Sequence, residues 1–307
     1  AEELARLESQ DTGKPLGQAR ADARVAARYL RFYAHAIDSY YGVTIPKGPD
    51  LHAYTVREPF GVVGSVIAWN YPMQLFSRSV AAAVATGNAT VVKPADETPR
   101  TAVALARLAV EAGIPAGVVN VVTGTGEEAG AALTAHPGVG HLSFVGSTEV
   151  GSVIAHAAAE RVVPTVLELG GKSAQVVFAD ADVTAAAEAV VRGVLQNAGQ
   201  TCSAGSRLIV HRKVHDKLLR SAERLVPTCD RIGRRYGIQV ANKRISISPI
   251  AVVGAPFAAE QLVEVALQLD ASAEQLGIDF IGGFSALVEK GCIVGDRQLM
   301  DAIPRAL

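Results

Sequence analysis

The chain has 307 residues, 49% of them apolar, and a formal net charge of -1. This length allows two domains with a sizeable core, and so small a net charge gives no electrostatic footprint for nucleic acid or an anionic membrane surface. Its three cysteines are an odd number without paired spacing, which argues against a disulfide framework and for a reducing compartment.

The N-terminus is charged and amphipathic and lacks the apolar core of a signal peptide. No run in the sequence approaches the ~18 apolar residues that span a bilayer. We therefore expect a cytoplasmic protein that binds neither nucleic acid nor membrane. The first residue is Ala1, and the missing initiator methionine indicates a piece of something longer.

Helical periodicity runs through residues 1–41 and breaks at the Gly-Lys-Pro triplet of residues 13–15. One stripe of the second segment is apolar, and we predict that it faces the core; it contains Val25, Tyr29, Phe32, Ala36 and Ile37. Residues 43–57 are predicted to form a hairpin around a Pro-Lys-Gly-Pro-Asp turn, which by itself is as consistent with an ordinary surface hairpin as with a special role.

From Gly61 onward, short β-branched runs alternate with helical segments. Strands are predicted at residues 61–67, 88–92, 118–122, 141–145 and 162–168. This alternation is typical of an α/β fold with a doubly wound parallel sheet, whose ligands bind at the carboxyl ends of the strands. Further strands are predicted at 172–178 and 207–211, with helices at 183–197 and 213–225, the latter ended by Pro227.

Cys202 follows a polar turn that contains glycine, Asn-Ala-Gly-Gln-Thr, and such a turn can expose a thiol at the mouth of a cleft. A nucleophilic cysteine needs surroundings that stabilise its thiolate, and a nearby glutamate such as Glu168 can act as base for the thiol or for a water. A single cysteine is more often a small buried apolar residue, and Glu168 can equally be a structural strand end. Cys229 and Cys292 have no base nearby in sequence, and we interpret both as structural.

Two glycine turns are candidates for binding a phosphate. Gly124, Gly126 and Gly130 depart from the strict dinucleotide spacing, so a tight strand-to-helix turn explains them as well as a phosphate site does. Gly146 and Ser147 open a predicted helix, where backbone N–H groups attract phosphate oxygens, and they are the better candidate.

Lys93 and Asp96 follow a predicted strand, where the ribose of a nucleotide would lie. Lysine donates to ribose hydroxyls, while a carboxylate accepts from the 2'-hydroxyl and repels a 2'-phosphate. The alternative is an ordinary surface ion pair, which would have no part in binding.

The sequence of motifs resembles the NAD(P)-dependent aldehyde dehydrogenase superfamily. The motifs are residues 68–72 (Ala-Trp-Asn-Tyr-Pro), 146–151 (Gly-Ser-Thr-Glu-Val-Gly), 167–172 (Leu-Glu-Leu-Gly-Gly-Lys) and 197–202 (Asn-Ala-Gly-Gln-Thr-Cys). The resemblance runs from about residue 2 to residue 225. It implies an NAD-binding domain at 1–170 that lacks the family's first strands and helices, and a truncated catalytic domain at 171–226.

The resemblance also implies roles for individual residues. Cys202 would attack the aldehyde, Asn70 and the backbone of Cys202 would hold the oxyanion, and Glu168 would activate the water that releases the acid. The implied cofactor contacts are Ile67, Trp69, Lys93, Asp96, Gly126, Gly146, Ser147 and Leu169, and no metal is implied. Asp96 stands where the family usually has glutamate, so NAD is expected, with NADP as the alternative. Hairpin 43–57 would pair subunits in a homo-oligomer.

Residues 225–307 lack the family's continuation, including its second glutamate and the phenylalanine beside the nicotinamide. They resemble instead a fragment of an uncharacterised family related distantly in fold to the glycyl-radical enzymes. We predict an unrelated α/β tail at 227–307, with a strand at 249–253, a helix at 258–276 and a strand at 278–281, as in a chimera. Two hypotheses stay open: an aldehyde dehydrogenase that turns over poorly, and a non-catalytic fragment that retains at most nucleotide binding.

Overall fold

The computed structural model describes residues 1–220, 225–237, 244–246, 257–276, 280–282 and 294–306. The chain divides into two compact units, one formed by residues 1–170 with 200–202 and the other by residues 171–199 with 203–307. Across the described ranges, no helix combines the length and the apolar character needed to cross a membrane.

The first unit begins with two helices and the predicted hairpin. Helix α1 (Glu2–Thr12) ends at Gly13, whose left-handed φ of 74° suits glycine, and α2 (Leu16–Ala36) follows. Strands β1 (Thr44–Pro46) and β2 (His52–Tyr54) pair antiparallel, so the hairpin is confirmed. The predicted core stripe of α2 is wrong: Phe32 is 61% exposed, and the buried residues of this helix are Ala19, Asp22 and Ala26.

A five-stranded parallel sheet forms the centre of this unit. Its strands are β3 (Val62–Val66), β4 (Ala89–Lys93), β5 (Val119–Val121), β6 (His141–Val145) and β7 (Thr165–Glu168), in the order β5-β4-β3-β6-β7. The chain winds outward from β3 in one direction and then from β6 in the other. The doubly wound sheet expected from the sequence is therefore confirmed, and the order reverses between β3 and β6.

Helices cover both faces of the sheet. Helix α3 (Pro72–Ala85) starts with a proline, which suits the first helical turn, and packs with α4 (Arg100–Glu111) around Val92. Helices α5 (Ala131–Ala135) and α6 (Thr148–Ala159) line the core cluster that Val91 joins. Adjacent strand residues point to opposite faces, so Val91 and Val92 mark the two layers.

The second unit contains two smaller pieces of α/β structure. Strands β8 (Ala174–Val177) and β9 (Arg207–Val210) pair in parallel and pack on α7 (Val183–Leu195) and α8 (Arg212–Leu219). Helix α7 begins at Asp182, whose carboxylate accepts from the backbone of Thr184 and Ala185.

Helix α9 (Leu225–Tyr236) contains Pro227 in its first turn, where no intrahelical N–H bond is lost. The prediction that Pro227 ends the preceding helix is therefore wrong. Strand β10 (Arg244–Ser246) pairs with β11 (Phe280–Gly282), while α10 (Ala259–Leu276) and α11 (Val294–Ala306) share a core around Leu262 and Leu299. The helix predicted at 258–276 is confirmed. The strand predicted at 249–253 and Cys292 lie outside the described residues.

Candidate active site

Strand ends at one edge of the sheet bring most of the candidate residues together. The backbone N–H of Ile67, just past β3, donates to the carbonyl of Lys93 at the end of β4, at 3.0 Å. On the other side, the N–H of Gly146 donates to the carbonyl of Glu168, also at 3.0 Å. Neighbouring strands are ~4.8 Å apart, so the edge from β4 to β7 spans ~14 Å. An extended ligand laid across this edge meets each strand end in turn.

The turn before Cys202 has an unusual backbone. Asn197, Ala198 and Gly199 adopt φ values of 52°, 57° and 79°, all in the left-handed region. A non-glycine residue such as Ala198 reaches this region at a cost of about 1 kcal/mol. Cys202 follows as an exposed free thiol. The sequence prediction of an exposed cysteine is thereby confirmed.

A hydrogen bond ties Gln200, two residues before Cys202, to the segment that follows β3. The side-chain Nδ2 of Asn70 donates to the carbonyl of Gln200 at 2.9 Å, across 130 residues of sequence. Residues 200–202 accordingly belong to the first unit. The candidate oxyanion donor Asn70 is thus bonded to Gln200, which precedes the candidate nucleophile Cys202 by two positions in the chain.

The segment around Asn70 is anchored on its other side as well. The carbonyl of Trp69 accepts from Oγ1 of Thr98, a buried residue that follows β4, at 3.1 Å. Trp69 itself is 42% exposed and therefore available to a ligand. Thr98 carried no signal in the sequence, because a threonine in a loop has many structural uses.

Lys93 and Asp96 form an asymmetric ion pair. The Nζ of Lys93 lies 3.4 Å from Oδ1 of Asp96, with the Lys93 side chain 3% exposed and that of Asp96 54% exposed. An ordinary surface pair would expose both groups, so this geometry departs from that alternative. A buried ammonium with an exposed carboxylate above it fits a group with hydroxyls, such as a ribose.

The helix that starts after β6 offers an anion site. Ser147 caps α6, and its Oγ accepts from the N–H of Val150 at 3.2 Å. The positive end of a twelve-residue helix faces the sheet edge here, which suits a phosphate. At Gly146, a Cβ would lie 2.4 Å from the Phe144 ring, so glycine is required at this position by packing alone.

Gly126 lies in a different setting. It opens a five-residue π-helical turn, Gly126–Gly130, capped by Thr125. Glu127 and Glu128 occupy its first turn, and their carboxylates disfavour a phosphate there. This setting favours the interpretation of Gly126 as part of a tight strand-to-helix turn.

Two of the residues implied by resemblance point their side chains into the core. Ile67 is 2% exposed and packs among the core residues around Val92. Leu169 packs against the cluster of Leu142 and Phe144. For Ile67, the backbone is therefore the part available to a ligand at the edge, while Leu169 is half-buried.

One cavity of the first unit lies away from Cys202 and Asn70. It has a volume of about 530 Å³ and is lined by α2, α3 and strands β3, β6 and β7, with the exposed Glu168 on its wall. Neither Cys202 nor Asn70 lines it. Within the described part of the chain, no cluster of histidine, cysteine and carboxylate side chains is suited to hold a metal.

A doubly wound parallel sheet with a capped helix, a buried lysine and the exposed Cys202 near its carboxyl edge has the architecture of α/β proteins that bind ligands at this edge. Comparison with known proteins gives the family. Residues 1–247 match the model of the aldehyde dehydrogenase family, and the chain belongs to that family.

Two curated relatives illustrate the match. "Aldehyde dehydrogenase 1" of Tanacetum cinerariifolium is 46% identical over 228 residues, which is 74% of this chain and 46% of the relative. "Hydroxyisobutyraldehyde dehydrogenase" of Mycolicibacterium austroafricanum is 48% identical over 219 residues, 71% of this chain and 44% of the relative. The chain therefore spans less than half the length of these relatives.

Solved structures agree with the curated relatives. An NAD-dependent aldehyde dehydrogenase from Sinorhizobium meliloti superposes with a TM-score of 0.71 at 43% identity, covering 75% of this chain and 45% of that one. An indole-3-acetaldehyde dehydrogenase of P. syringae, solved with NAD+ and IAA, gives 0.72 at 39% identity, covering 75% and 47%.

The family match corrects one boundary. It continues to residue 247, whereas the sequence reading ended the resemblance at about residue 225. The predicted likeness of residues 225–307 to another family gains no support. The domain limits and the chimeric tail stay predictions.

Proposed function

We propose that this chain takes part in NAD(P)-dependent oxidation of an aldehyde to a carboxylic acid. The observation that carries the proposal is the 2.9 Å hydrogen bond from Asn70 Nδ2 to the carbonyl of Gln200. It joins an amide donor at a strand end to the turn of the exposed thiol. Addition of a thiol to a carbonyl needs this pair of groups, a nucleophile and a donor for the developing oxyanion.

Cys202 supplies the nucleophile in this mechanism. The Cys202 thiol first gives its proton to water. Its Sγ then forms a bond to the aldehyde carbon, and the carbonyl π electrons move to oxygen, which gives a tetrahedral thiohemiacetal anion. The amide of Asn70 and the N–H of Cys202 donate to that oxygen. Removing one such donor typically lowers the rate 10²- to 10³-fold, about 3 kcal/mol.

The strand edge supplies the cofactor site. Lys93 and Asp96 would hold the adenosine ribose, the N-terminus of α6 with Gly146 and Ser147 would receive the pyrophosphate, and Trp69 would flank the bound molecule. Ile67 and Leu169 contribute through their backbones, whereas Gly126 is left out of the cofactor site, because Glu127 and Glu128 disfavour a phosphate at its turn. Bound NAD(P) supplies the acceptor for the hydride that leaves the thiohemiacetal carbon. NAD is preferred, because the Asp96 carboxylate repels a 2'-phosphate.

Glu168 completes the cycle as a base. Loss of hydride leaves a thioester on Cys202, and Glu168 takes a proton from the water that attacks it. The carbon–sulfur bond then breaks, and the thiol returns. One aldehyde, one water and one oxidised cofactor give one acid, one reduced cofactor and one proton. The exposure of Glu168 at the end of β7 leaves room for that water.

The test is to mix the purified chain with NAD and short aliphatic and aromatic aldehydes, and to follow NADH by absorbance. Cys202→Ala should abolish its formation, while Cys229→Ala is the matched control. We expect turnover well below an ordinary enzyme's ~10 per second. Equal NADH formation by Cys202→Ala and its parent would contradict the mechanism, and cofactor binding without any turnover would identify the non-catalytic alternative.

We further propose that hairpin 43–57 pairs subunits in the cytoplasm. Leu51 and Tyr54 are 61% and 65% exposed, and exposed apolar side chains on one hairpin favour association. Light scattering over a range of concentrations should show an oligomer that Tyr54→Glu dissociates and Asp50→Ser does not. An unchanged mass for Tyr54→Glu would remove the hairpin from the interface.

A further inference from the structure

A buried charge cluster lies between the first two helices. The Nζ of Lys14 is 2.9 Å from Oε1 of Glu8 and 2.7 Å from Oδ2 of Asp22. The three side chains are 0%, 0% and 4% exposed. In the sequence, Lys14 stood out only as part of a helix break.

Each carboxylate of the cluster is also bound from the sheet-covering helices. Gln74 of α3 donates to Oδ1 of Asp22 at 2.7 Å, and Thr101 of α4 donates to Oε2 of Glu8 at 2.9 Å. Burial raises the pKa of Glu8, although the Lys14 ammonium acts against that rise. Burying polar groups this deeply is costly unless their hydrogen bonds are satisfied. A network whose hydrogen bonds are satisfied is rigid.

The cluster reaches the segment that carries Asn70. The Nζ of Lys14 lies 4.3 Å from the centroid of the Tyr71 ring, and Gln18 donates to the Tyr71 hydroxyl at 3.1 Å. The backbone N–H of Met73 donates to Oε2 of Glu8 at 3.3 Å. Tyr71 is the residue directly after Asn70, so the cluster fixes the backbone on which the amide donor is mounted.

We propose that Lys14 is a positioning residue, which acts through Tyr71 to hold the Asn70 amide where it donates to the oxyanion at Cys202. This inference rests on the proposed function, since it presumes that Cys202 attacks a carbonyl. Lys14 does not touch the reacting atoms. Its ammonium attracts the face of the Tyr71 ring, and Glu8 accepts from the N–H of Met73 in the first turn of α3. The two contacts anchor the chain that directly follows Asn70.

Two reactions of Cys202 separate positioning from general damage. Acylation by p-nitrophenyl acetate puts negative charge on a carbonyl oxygen and needs the Asn70 donor, whereas alkylation by iodoacetamide displaces iodide and needs no such donor. Neither reaction uses a cofactor. Subtracting the rate of Cys202→Ala removes the reaction of other side chains with the ester.

We expect Lys14→Met to slow acylation at least ~tenfold while alkylation stays within ~twofold, and Asn70→Ala to do the same. Adding Lys14→Met to Asn70→Ala should cause no further loss of acylation, because the donor is already gone. Arg20→Met is the matched control: Arg20 forms an exposed ion pair with Glu2, and its loss should leave both rates unchanged.

The proposal is overturned if folded Lys14→Met has the same ratio of acylation rate to alkylation rate as the parent. It is also overturned if the losses of acylation rate from Lys14→Met and Asn70→Ala multiply in the double variant. If circular dichroism shows Lys14→Met unfolded, Gln18→Met takes its place, since it removes the bond to the Tyr71 hydroxyl and leaves the buried charges in place. An unchanged ratio there overturns the proposal too. A parent chain acylated no faster than Cys202→Ala would refute the proposed function itself, a result visible before any Lys14 variant is compared.

Discussion

Replacing Asp96 by serine tests the cofactor edge most directly. The Asp96 side chain is 54% exposed and lies beside a Lys93 that is 3% exposed, so the carboxylate stands between that ammonium and solvent. A 2'-phosphate placed on the ribose would meet Asp96 first. Asp96→Ser removes the repulsion and leaves the lysine to face the phosphate. We therefore expect the preference for NAD over NADP to narrow or reverse.

The size of the effect follows from Coulomb's law. A carboxylate and a doubly charged phosphate ~6 Å apart repel by about 1.4 kcal/mol at the dielectric constant of water, which is the suitable limit for an exposed Asp96. That free energy corresponds to about tenfold in the ratio of the two dissociation constants. Salt weakens the effect once the Debye length falls to ~10 Å or below, so the comparison belongs at low ionic strength.

Intrinsic fluorescence provides the assay, because Trp69 is the single tryptophan of the chain and lies 42% exposed at the same edge. Titrations with NAD and NADP give both dissociation constants for parent and variant. Asp50→Ser, an exposed aspartate on the hairpin, is the matched control. If Asp96→Ser leaves the ratio within twofold of the parent, or if neither cofactor binds the parent, the assignment of this edge is refuted.

Other predictions concern the thiol, the strained turn and a half-buried histidine. Limited iodoacetamide treatment followed by mass spectrometry should find Cys202 alkylated before Cys229 and Cys292; equal labelling of all three in folded protein would contradict its assignment. Ala198→Gly should raise the free energy of unfolding by about 1 kcal/mol in urea, because glycine adopts the left-handed φ without strain; a loss of stability would contradict the φ of 57°. Burial lowers the pKa of His141 from 6.5, so the unfolded chain binds more protons and stability should fall as pH drops through 6.5. His141→Gln should flatten that slope in denaturant titrations at pH 5 and 8, and an unaltered slope would exclude His141 as its source.

The sheet could be predicted because its strands carry their own signal. A β-branched run such as Val62–Val66 is buried on both faces, and no other element of similar length accommodates it as well. The limits of strands β3 to β9 differ from the predicted limits by at most three residues. The short connections between strands and helices then favour parallel neighbours, which fixes the doubly wound arrangement.

Helix α2 shows where periodicity was insufficient. Of its predicted apolar stripe, Phe32 is exposed and Val25 and Tyr29 are only half-buried. The fully buried residues of the helix are instead Ala19, Asp22 and Ala26. Small residues allow α2 to approach α3 closely, and Asp22 is buried only because Lys14 and Gln74 bind its two oxygens. Hydropathy counts Asp22 as a surface residue, since the partners that satisfy it are not visible in a local pattern.

The chemistry of the site could be recognised from motifs, but its assembly could not. Asn70 and the Cys202 turn are distant in sequence, and only the bond to the Gln200 carbonyl shows that they meet. The backbone strain at Ala198 was equally hidden, because alanine gives no signal of a left-handed turn. The support from Lys14 was missed for the same reason: its partners come from separate helices.

Side-chain burial at the strand ends decides which residues of the edge are available to a ligand. Past the end of β3, Ile67 points into the core at 2% exposure, while Trp69 points outward at 42%. Past the end of β7, Leu169 packs inward and its neighbour Glu168 faces solvent. The packing of Leu169 anchors the end of β7 and thereby fixes the direction of the neighbouring Glu168 side chain. Replacing Ile67 or Leu169 by alanine should therefore disturb the site through the lost packing, whereas replacing Trp69 or Glu168 should remove a contact and leave the fold intact.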